Sequence, residues 1–387
     1  MNIVLITHPS FLNSSSMPRY ASWLKNGMEL RGHQVKTWTA PPKLINASNN
    51  TLIKKWLAYV DQYIIFPQTL KKRLKDKASE NVLFVFTDHA LGPWVPYVKK
   101  YPHIIHCHDF LAQRSALGEI PENATGFTGR LYQKFIRTGY RKGKNFICIS
   151  QKTESDLLHF LEPNFPEFCE VIYNGLNQDF FPLDKVICRR YLSDVFQKDF
   201  TNGYILHVGG NQWYKNRLGV LKLYVAWRNS RPNIVYPLIM IGKEPTRAMK
   251  IFSEKSGYDS DIHFFSQVDD ESLKKAYVGA VIFLFPSLAE GFGWPIAEAM
   301  ASGTIVITTD EKPMTEVGGT AAFYIPRETV DNDGEFINQG VKMIQALLNK
   351  SAEDLKLFSE KGLEQAKKFD SDLALDKIEA AYKSIIV

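Results

Sequence analysis

Cysteine is scarce. Four residues in 387, Cys107, Cys148, Cys169 and Cys188, are too few for a disulfide scaffold, and none forms a Cys-x-x-Cys pair. Cys107 and Cys148 sit in apolar, strand-like runs, as buried thiols do, which points to a reducing compartment. No run approaches the ~18–20 apolar residues that a membrane-spanning helix requires. The opening MNIVLITHPS lacks the basic start and long apolar core of a signal peptide and reads as a first strand. A cytoplasmic protein is expected, with a peripheral seat at the inner face of the membrane as its one membrane option. Acid is scarce in the first part of the chain: residues 1–150 hold 21 Lys and Arg against 8 Asp and Glu, although the whole chain carries only +6. That excess suits a polyanionic partner (anionic lipid headgroups, nucleic acid or a phosphorylated substrate) or is plain solvated lysine.

What is present is ordinary globular material, 45% apolar and 23% charged, in a chain longer than one hydrophobic core usually serves, so two domains are expected. Short β-rich runs alternate with helical patterns. NIVLITH (2–8), HQVKTWTA (33–40), NVLFVFTD (81–88), HIIHCHD (103–109) and KNFICIS (144–150) read as strands, with a helix over 17–32 that stops at Gly32. The runs are continuous rather than alternating, as in a parallel sheet covered on both faces. The pattern restarts with strands at 201–210, 236–242, 262–268, 281–287 and 303–310, and helices at 217–230 and 270–280. The domains are therefore set at 1–183 and 184–370, with an amphipathic final helix over 371–387. The stretch TLIKKWLAYVDQYIIFPQTLKKRLKDK (51–77) mixes aromatic and aliphatic residues with seven Lys and Arg. It reads either as a membrane-surface helix interrupted at Pro67 or as a helix of the first domain with a basic outer face.

The chemistry concentrates in EGFGWPIAEAMASG (290–303). Glu290 follows a strand; Gly291 and Gly293 permit positive φ and a close approach of backbone to a ligand. Pro295 suits a first helical turn, which would place Glu298 in that turn. The free N–H groups around Ile296 and Ala297 then form an anion site at the carboxyl end of a parallel sheet, where such sheets bind ligands. In the first half, His103, His106 and His108 invite a metal reading, but no further Cys or His cluster completes a site. The two Asp-Ser-Asp tripeptides, 259–261 and 370–372, lie in polar surroundings and carry little weight. No metal is expected.

FPSLAEGFGWPIAEAMASG resembles the Glu-x7-Glu motif of the retaining nucleotide-sugar glycosyltransferases of family 4 (glycosyltransferase group 1). ICISQKTESDLLHF (147–160), VIYNGLNQDFFP (171–182), VGGNQWYKNR (208–217), SQVDDESLKKAY (266–277) and TEVGGTAAFYI (315–325) resemble further segments of that family in order and spacing. The resemblance implies a GT-B fold: α/β, with two Rossmann-like parallel-sheet domains facing each other across a cleft and the last helix crossing back to the first domain. It assigns acceptor binding to the first domain and nucleotide-sugar binding to the second.

The resemblance also implies roles. Glu290 would contact the donor sugar near its reacting carbon and Glu298 the ribose. Lys215 would neutralise the diphosphate as charge builds on it. Phe292, Gly293, Trp294, Pro295 and Ile296 would line the donor's path. The family's usual arginine before that lysine is absent: Gly210 and Asn211 stand in its region, with Arg217 just beyond as a substitute. His108 would face sugar or acceptor, with Asp109 orienting its ring and Arg114 binding an acidic acceptor. Ser15, Ser16 and Arg19 stand where many members have a glycine-rich loop, and a plain serine-rich loop feeding a helix is the alternative. The implied activity is metal-independent hexosyl transfer with retention, from a donor such as GDP-mannose or a UDP-sugar and without a cofactor, to a glycan or lipid-linked acceptor in cell-surface polysaccharide synthesis. Nucleic acid is not an expected partner. A soluble sugar synthase or phosphorylase on the same fold, and a non-catalytic sugar-nucleotide-binding subunit, are the alternatives.

Overall fold

The computed structural model describes residues 1–12, 16–76, 81–176, 179–233 and 236–386. Its apolar runs form two parallel sheets. One comprises β1 (Asn2–Ile6), β2 (Gln34–Trp38), β3 (Val82–Phe86), β4 (His103–Cys107), β5 (Asn145–Cys148) and β6 (Phe168–Val171) in the order β2-β1-β3-β4-β5-β6. The other comprises β7 (Ile205–Gly209), β8 (Leu238–Gly242), β9 (Ile262–Ser266), β10 (Ile282–Phe285), β11 (Val306–Thr309) and β12 (Phe323–Ile325) in the order β12-β11-β10-β7-β8-β9. Two edge strands escape a reading of hydrophobic runs. β6 is short and only half-buried, and β12 has three residues, so neither carries the continuous apolar signal of an inner strand.

The chain divides into two compact units, Met1–Gly175 with Ser371–Val387, and Leu176–Asp370. The division falls ahead of the expected 183/184. The reason is local: the Leu176 N–H donates to the Phe369 carbonyl at 2.8 Å, and Phe180 packs edge-on against Tyr277 with ring centroids 5.7 Å apart.

In the first unit, Val4, Ile6, Phe84, Phe86, Ile105, Phe146 and Cys148 are buried with Phe66, Trp94, Ile136 and Tyr140 in one core. The β1–β3 register sets Ile6 beside Phe86, so the two strands end level. Strand order reverses between these two, the switch point at which open α/β sheets bind ligands. The basic stretch folds as a Thr51–Val60 helix, a π turn over Asp61–Ile65 and a Phe66–Asp76 helix. The irregularity precedes Pro67 rather than falling on it: the Phe66 N–H reaches back five residues to the Asp61 carbonyl, and the proline, which has no N–H to place, follows. Asp61 is buried because its carboxylate accepts from the Leu44 and Ile45 N–H groups. The final helix, Ser371–Ile386, belongs to this unit; its Asp372 and Asp376 pair with Arg31, and Ser371 accepts from the Trp23 indole at 2.6 Å.

In the second unit, Ile205, Leu238, Met240, Leu284 and Ile307 pack with Tyr224, Trp227, Phe336 and Ile344. The switch point lies between β7 and β10. β7 and β8 end on glycines that face each other. Gly242 has φ +151°, and a Cβ there would stand 2.0 Å from the Gly209 carbonyl oxygen, so only glycine fits. The 259–261 tripeptide is spent structurally: Asp259 accepts from Ser253 at 2.6 Å, and Asp261 pairs with the buried Arg228 at 2.6 Å.

Candidate functional site

The second unit's switch point is closed by an ion pair. Lys215 ends a short 3-10 turn (Trp213–Lys215) after β7, and Glu290 lies on the loop after β10. Lys215 Nζ donates to Glu290 Oε1 at 2.7 Å and Oε2 at 3.0 Å. The fully buried Ser287 hydroxyl adds a third bond to Oε1 at 2.6 Å. Ser287 is itself fixed by its neighbours: its carbonyl accepts from Thr309 Oγ1 at 2.7 Å, and its hydroxyl lies 2.9 Å from the Tyr214 carbonyl. The Phe285 and Tyr214 rings lie 5.1 and 5.4 Å from the ammonium. Two residues expected to act on different parts of a ligand thus hold each other here.

The helix after Glu290 runs Trp294–Ala301, with Gly293 as its cap at φ +101°. That left-handed turn starts the helix one residue before Pro295. Glu298 is therefore the fifth helical residue, beyond the first turn in which the sequence placed it. Its carboxylate is mostly buried and accepts from the Tyr277 hydroxyl at 2.8 Å. Phe292 turns inward against Phe369, edge-on at 5.3 Å, so its contribution to a ligand is confined to backbone. Ile296 is fully buried, while Trp294 and Pro295 stay half-buried at the helix start.

Arg217 opens the Arg217–Ser230 helix and is only 4% exposed. It bonds the Asn211 side chain and, at 2.7 Å, the Lys243 carbonyl; Asn211 in turn donates to the Glu244 carbonyl at 2.7 Å. Its Nε and Nη2 have no hydrogen-bond partner among the described residues. Burial lowers its pKa to about 10, against the pull of Glu244. Gly210 beside it adds no side chain. The guanidinium is thus held on the β8 side of β7 with donors to spare.

The first unit's switch point is also bridged. His8, two residues past β1, and Asp88, two residues past β3, meet at 2.8 Å, as the Ile6–Phe86 register dictates. Asp88 Oδ1 lies 3.0 Å from His89 Nδ1 and also accepts from the Ala90 N–H at 3.0 Å. Burial raises the Asp88 pKa, but the facing His89 and His8 outweigh it and hold the carboxyl well below its usual range. His8, Asp88 and His89 were not singled out in the sequence. The signal was there, since each follows a strand's carboxyl end, but no motif marks it.

The three expected histidines take separate duties. His103 Nδ1 lies 2.8 Å from the Tyr101 carbonyl. His106 is fully buried between the Tyr20 hydroxyl (2.7 Å) and the Tyr382 hydroxyl (2.8 Å), tying the final helix to the sheet, and burial lowers its pKa to about 3. His108 Nε2 lies 2.9 Å from the Thr87 carbonyl; a carbonyl only accepts, so the proton sits on Nε2. Asp109 does not orient that ring. It accepts instead from the Leu111 N–H at 3.0 Å, and burial raises its pKa. Burial also lowers the His108 pKa, keeping the ring neutral. Arg114 pairs with Glu119 at 3.0 Å rather than standing open to an acidic ligand. Ser16 and Arg19 are exposed in the first turn of the Ser16–Leu30 helix, and Ser15 lies outside the described residues. No group of three or more His, Cys, Asp or Glu among the described residues is arranged to hold a metal ion, and no helix among them is long and apolar enough to cross a membrane.

Residues 192–348 match the family described as Glycosyl transferases group 1. The chain is 26% identical over 257 residues to O-antigen chain mannosyltransferase B of Escherichia coli, covering 66% of this chain and 64% of that protein. It is 27% identical over 202 residues to O-antigen chain mannosyltransferase RfbU of Salmonella typhimurium, covering 51% of this chain and 52% of that protein. These alignments span between half and two thirds of the relatives' length. Sucrose-phosphate synthase from Thermosynechococcus elongatus superposes with a TM-score of 0.73 at 16% identity, over 99% of this chain and 98% of that one.

Proposed function

We propose, for this member of the group 1 glycosyl transferases with a GT-B fold, that it moves a hexose from a nucleotide-sugar donor to a hydroxyl of a cell-surface polysaccharide or lipid-linked glycan. The observation that carries the proposal is the Lys215–Glu290 pair at the second switch point, beside a glycine-capped helix start. A nucleoside diphosphate fits this chemistry. Its phosphates draw on Lys215 and on the N–H groups of the Trp294–Ala301 helix. The ribose hydroxyls meet Glu298, and the sugar hydroxyls meet Glu290 once Lys215 has turned to phosphate. Donor binding thus exchanges the Lys215–Glu290 bond for two bonds to one ligand.

The spare donors of Arg217 support it as the replacement for the family's missing arginine, reaching the diphosphate from the β8 side. With Lys215 and Arg217 as fixed cations, the charge that develops on the departing diphosphate is countered by the protein itself, which supports metal-independent transfer. In the donor complex Glu290 is spent on the sugar hydroxyls and held by Ser287, which leaves no carboxylate as a nucleophile, so retention would follow front-face attack, with the leaving phosphate accepting the incoming proton. The acceptor falls to the first unit, where neutral His108 and the His8–Asp88 pair line the carboxyl edge of the sheet. The two mannosyltransferase relatives favour mannose as the sugar and GDP-mannose as the first donor to try.

The test is a panel of nucleotide sugars, read by thermal shift and by release of nucleoside diphosphate. A shift with one donor, and turnover once acceptor glycan is added, is the expected result. No response to any donor would end the transferase reading.

A further inference from the structure

Two helices of the first unit present apolar side chains to solvent and contain no acidic residue. On Thr51–Val60, Leu52, Ile53 and Trp56 are 73%, 50% and 69% exposed. On Phe127–Tyr140, Phe127, Leu131 and Phe135 repeat every four residues along one stripe and are likewise exposed. Scattered apolar residues on a surface need no explanation, but contiguous ones do. Here they are contiguous. Trp56 packs edge-on against Tyr59 at 5.9 Å, Tyr59 meets Tyr132 at 5.6 Å, and Tyr63 contacts both Tyr132 and Phe135, at 6.2 and 5.3 Å. The Tyr63 and Tyr132 hydroxyls bond at 2.6 Å. This aromatic ladder pins the two helices side by side and leaves their outer faces bare.

The charges on these helices have one sign. Lys54 and Lys55 stand exposed on the first, and Arg130 and Lys134 on the second, one turn apart along their helix. Asp61, the nearest acid to follow the first helix in the chain, is buried and consumed by two backbone N–H groups. An acidic protein groove would satisfy the lysines but not six bare apolar side chains with a tryptophan among them. A bilayer with anionic headgroups satisfies both: apolar side chains enter the acyl boundary, Trp56 sits at headgroup level, and lysine and arginine meet phosphate.

We propose that the paired helices Thr51–Val60 and Phe127–Tyr140 form a docking face for an anionic lipid bilayer. The face exists only in the folded unit, because it is assembled from segments almost seventy residues apart and joined by tyrosines. It does not rest on the transferase reading: docking can fail while donor binding persists, and the reverse.

The experiment is co-sedimentation of the full chain with phosphatidylcholine vesicles, with and without a minority of phosphatidylglycerol, at low and high salt. Two double variants accompany the wild type: Trp56→Ser with Leu131→Ser, and Lys54→Glu with Lys134→Glu. All four positions are exposed, so melting temperatures should match the wild type, and thermal shift with a nucleoside diphosphate reports the donor site separately. The wild type should pellet with phosphatidylglycerol vesicles and lose that binding at high salt. Each double variant should bind at least roughly tenfold more weakly. Failure of the wild type to pellet, or equal pelleting of wild type and variants, overturns the proposal. So does a wild-type dimer that the Trp56→Ser/Leu131→Ser variant dissociates in the absence of vesicle binding, since the face would then belong to a second copy of the chain.

Discussion

The two sheets solve the same geometric problem with different chemistry. In each, strand order reverses once, and a side chain after one strand bonds a carboxylate after its neighbour across the reversal: His8 to Asp88 in the first unit, Lys215 to Glu290 in the second. The second pair is made by a permanent cation on a flexible stem, beside a glycine-capped helix start that adds N–H donors. It can release its acid when an anion arrives. The first pair is made by imidazole, and its carboxylate also accepts from the Ala90 N–H and lies 3.0 Å from the His89 ring. It offers a ring that accepts or donates a proton, not a charge to be lent to phosphate. Under the proposed function the difference would separate a phosphate-facing unit from a hydroxyl-facing one, although the backbones are alike.

Breaking the two carboxylates tests that separation, and the largest effect is expected at Glu290. Glu290→Ala should lower transfer by roughly 100- to 1000-fold while nucleotide affinity changes little, because Lys215 remains for the diphosphate. Since the alanine also strips Lys215 of its partner, Glu290→Gln, which keeps the shape, should show the same split. Asp88→Asn is the mirror experiment. It should leave donor affinity untouched and act on the acceptor's KM. The Asp88 carboxyl is held well below its usual value, so the stability it contributes is present above about pH 4 and is lost as pH falls through its lowered value. The stability gap between Asp88→Asn and wild type should therefore close in acid. If Asp88→Asn instead weakened nucleotide binding as Lys215→Ala should, the two switch points would not be chemically distinct.

A second test compares buried histidines. His106 and His207 are fully buried on inner strands, and burial lowers both pKa values to about 3. Their folded pKa lies below the unfolded value of 6.5, so their stabilisation is complete above that pH and is lost as pH falls toward 3. By pH 5 each should have cost about 2 kcal/mol of folding stability. The partners differ. His106 is bonded at both nitrogens to tyrosines, whereas His207 donates only from Nδ1 to the Leu284 carbonyl, and its Nε2 has no partner among the described residues. His106→Phe should cost about 2–4 kcal/mol at pH 7, because two buried hydroxyls lose a partner. His207→Phe should cost about 1 kcal/mol and remove its share of the acid sensitivity. Urea midpoints at pH 7 and pH 5 decide it, and equal losses for the two variants would refute the distinction.

How much of this was legible in the sequence follows the same division. The second unit's candidate site is written in nearly consecutive residues: an acid followed by two glycines, a proline and a second acid eight positions on, so Glu290, Glu298 and the helix that carries Glu298 could be read directly. The bond between Lys215 and Glu290 could not, because 75 residues separate them and only strand order brings them together. Arg217, expected as the substitute for the family's missing arginine, proves buried, since nothing local says that Asn211 and the Lys243 carbonyl will claim it. In the first unit almost nothing functional is consecutive. His8 and Asp88 are 80 residues apart and meet through register. His108 stood out through its neighbouring histidines and the family resemblance, and its ring is set by the Thr87 carbonyl, one residue past β3, rather than by the adjacent Asp109. Strands and most helices were legible because burial on both faces leaves a continuous apolar record. The pairings among them leave none.

The smallest effect worth measuring concerns Tyr277 and tells whether Glu298 is a held acid or a free one. Its hydroxyl donates to Glu298 Oε2, while its ring rests edge-on against Phe180 and Phe283, and its carbonyl accepts from Thr304 Oγ1. Tyr277→Phe keeps the ring contacts and the backbone bond and deletes one hydrogen bond, worth about 1 kcal/mol. If that bond aims Glu298 at the ribose, nucleotide affinity should fall roughly fivefold with kcat unchanged, against roughly 10- to 100-fold for Glu298→Ala, which removes the charged acceptor itself. A kcat effect without an affinity effect would move Glu298 from the ribose to the reacting end of the donor. Equal affinity losses in the two variants would mean that the carboxylate works only while the tyrosine holds it. The mirror position in the first unit, Thr87 holding His108, acts through a backbone carbonyl that no side-chain replacement removes. Orientation at the second switch point is therefore open to mutation in a way that orientation at the first is not.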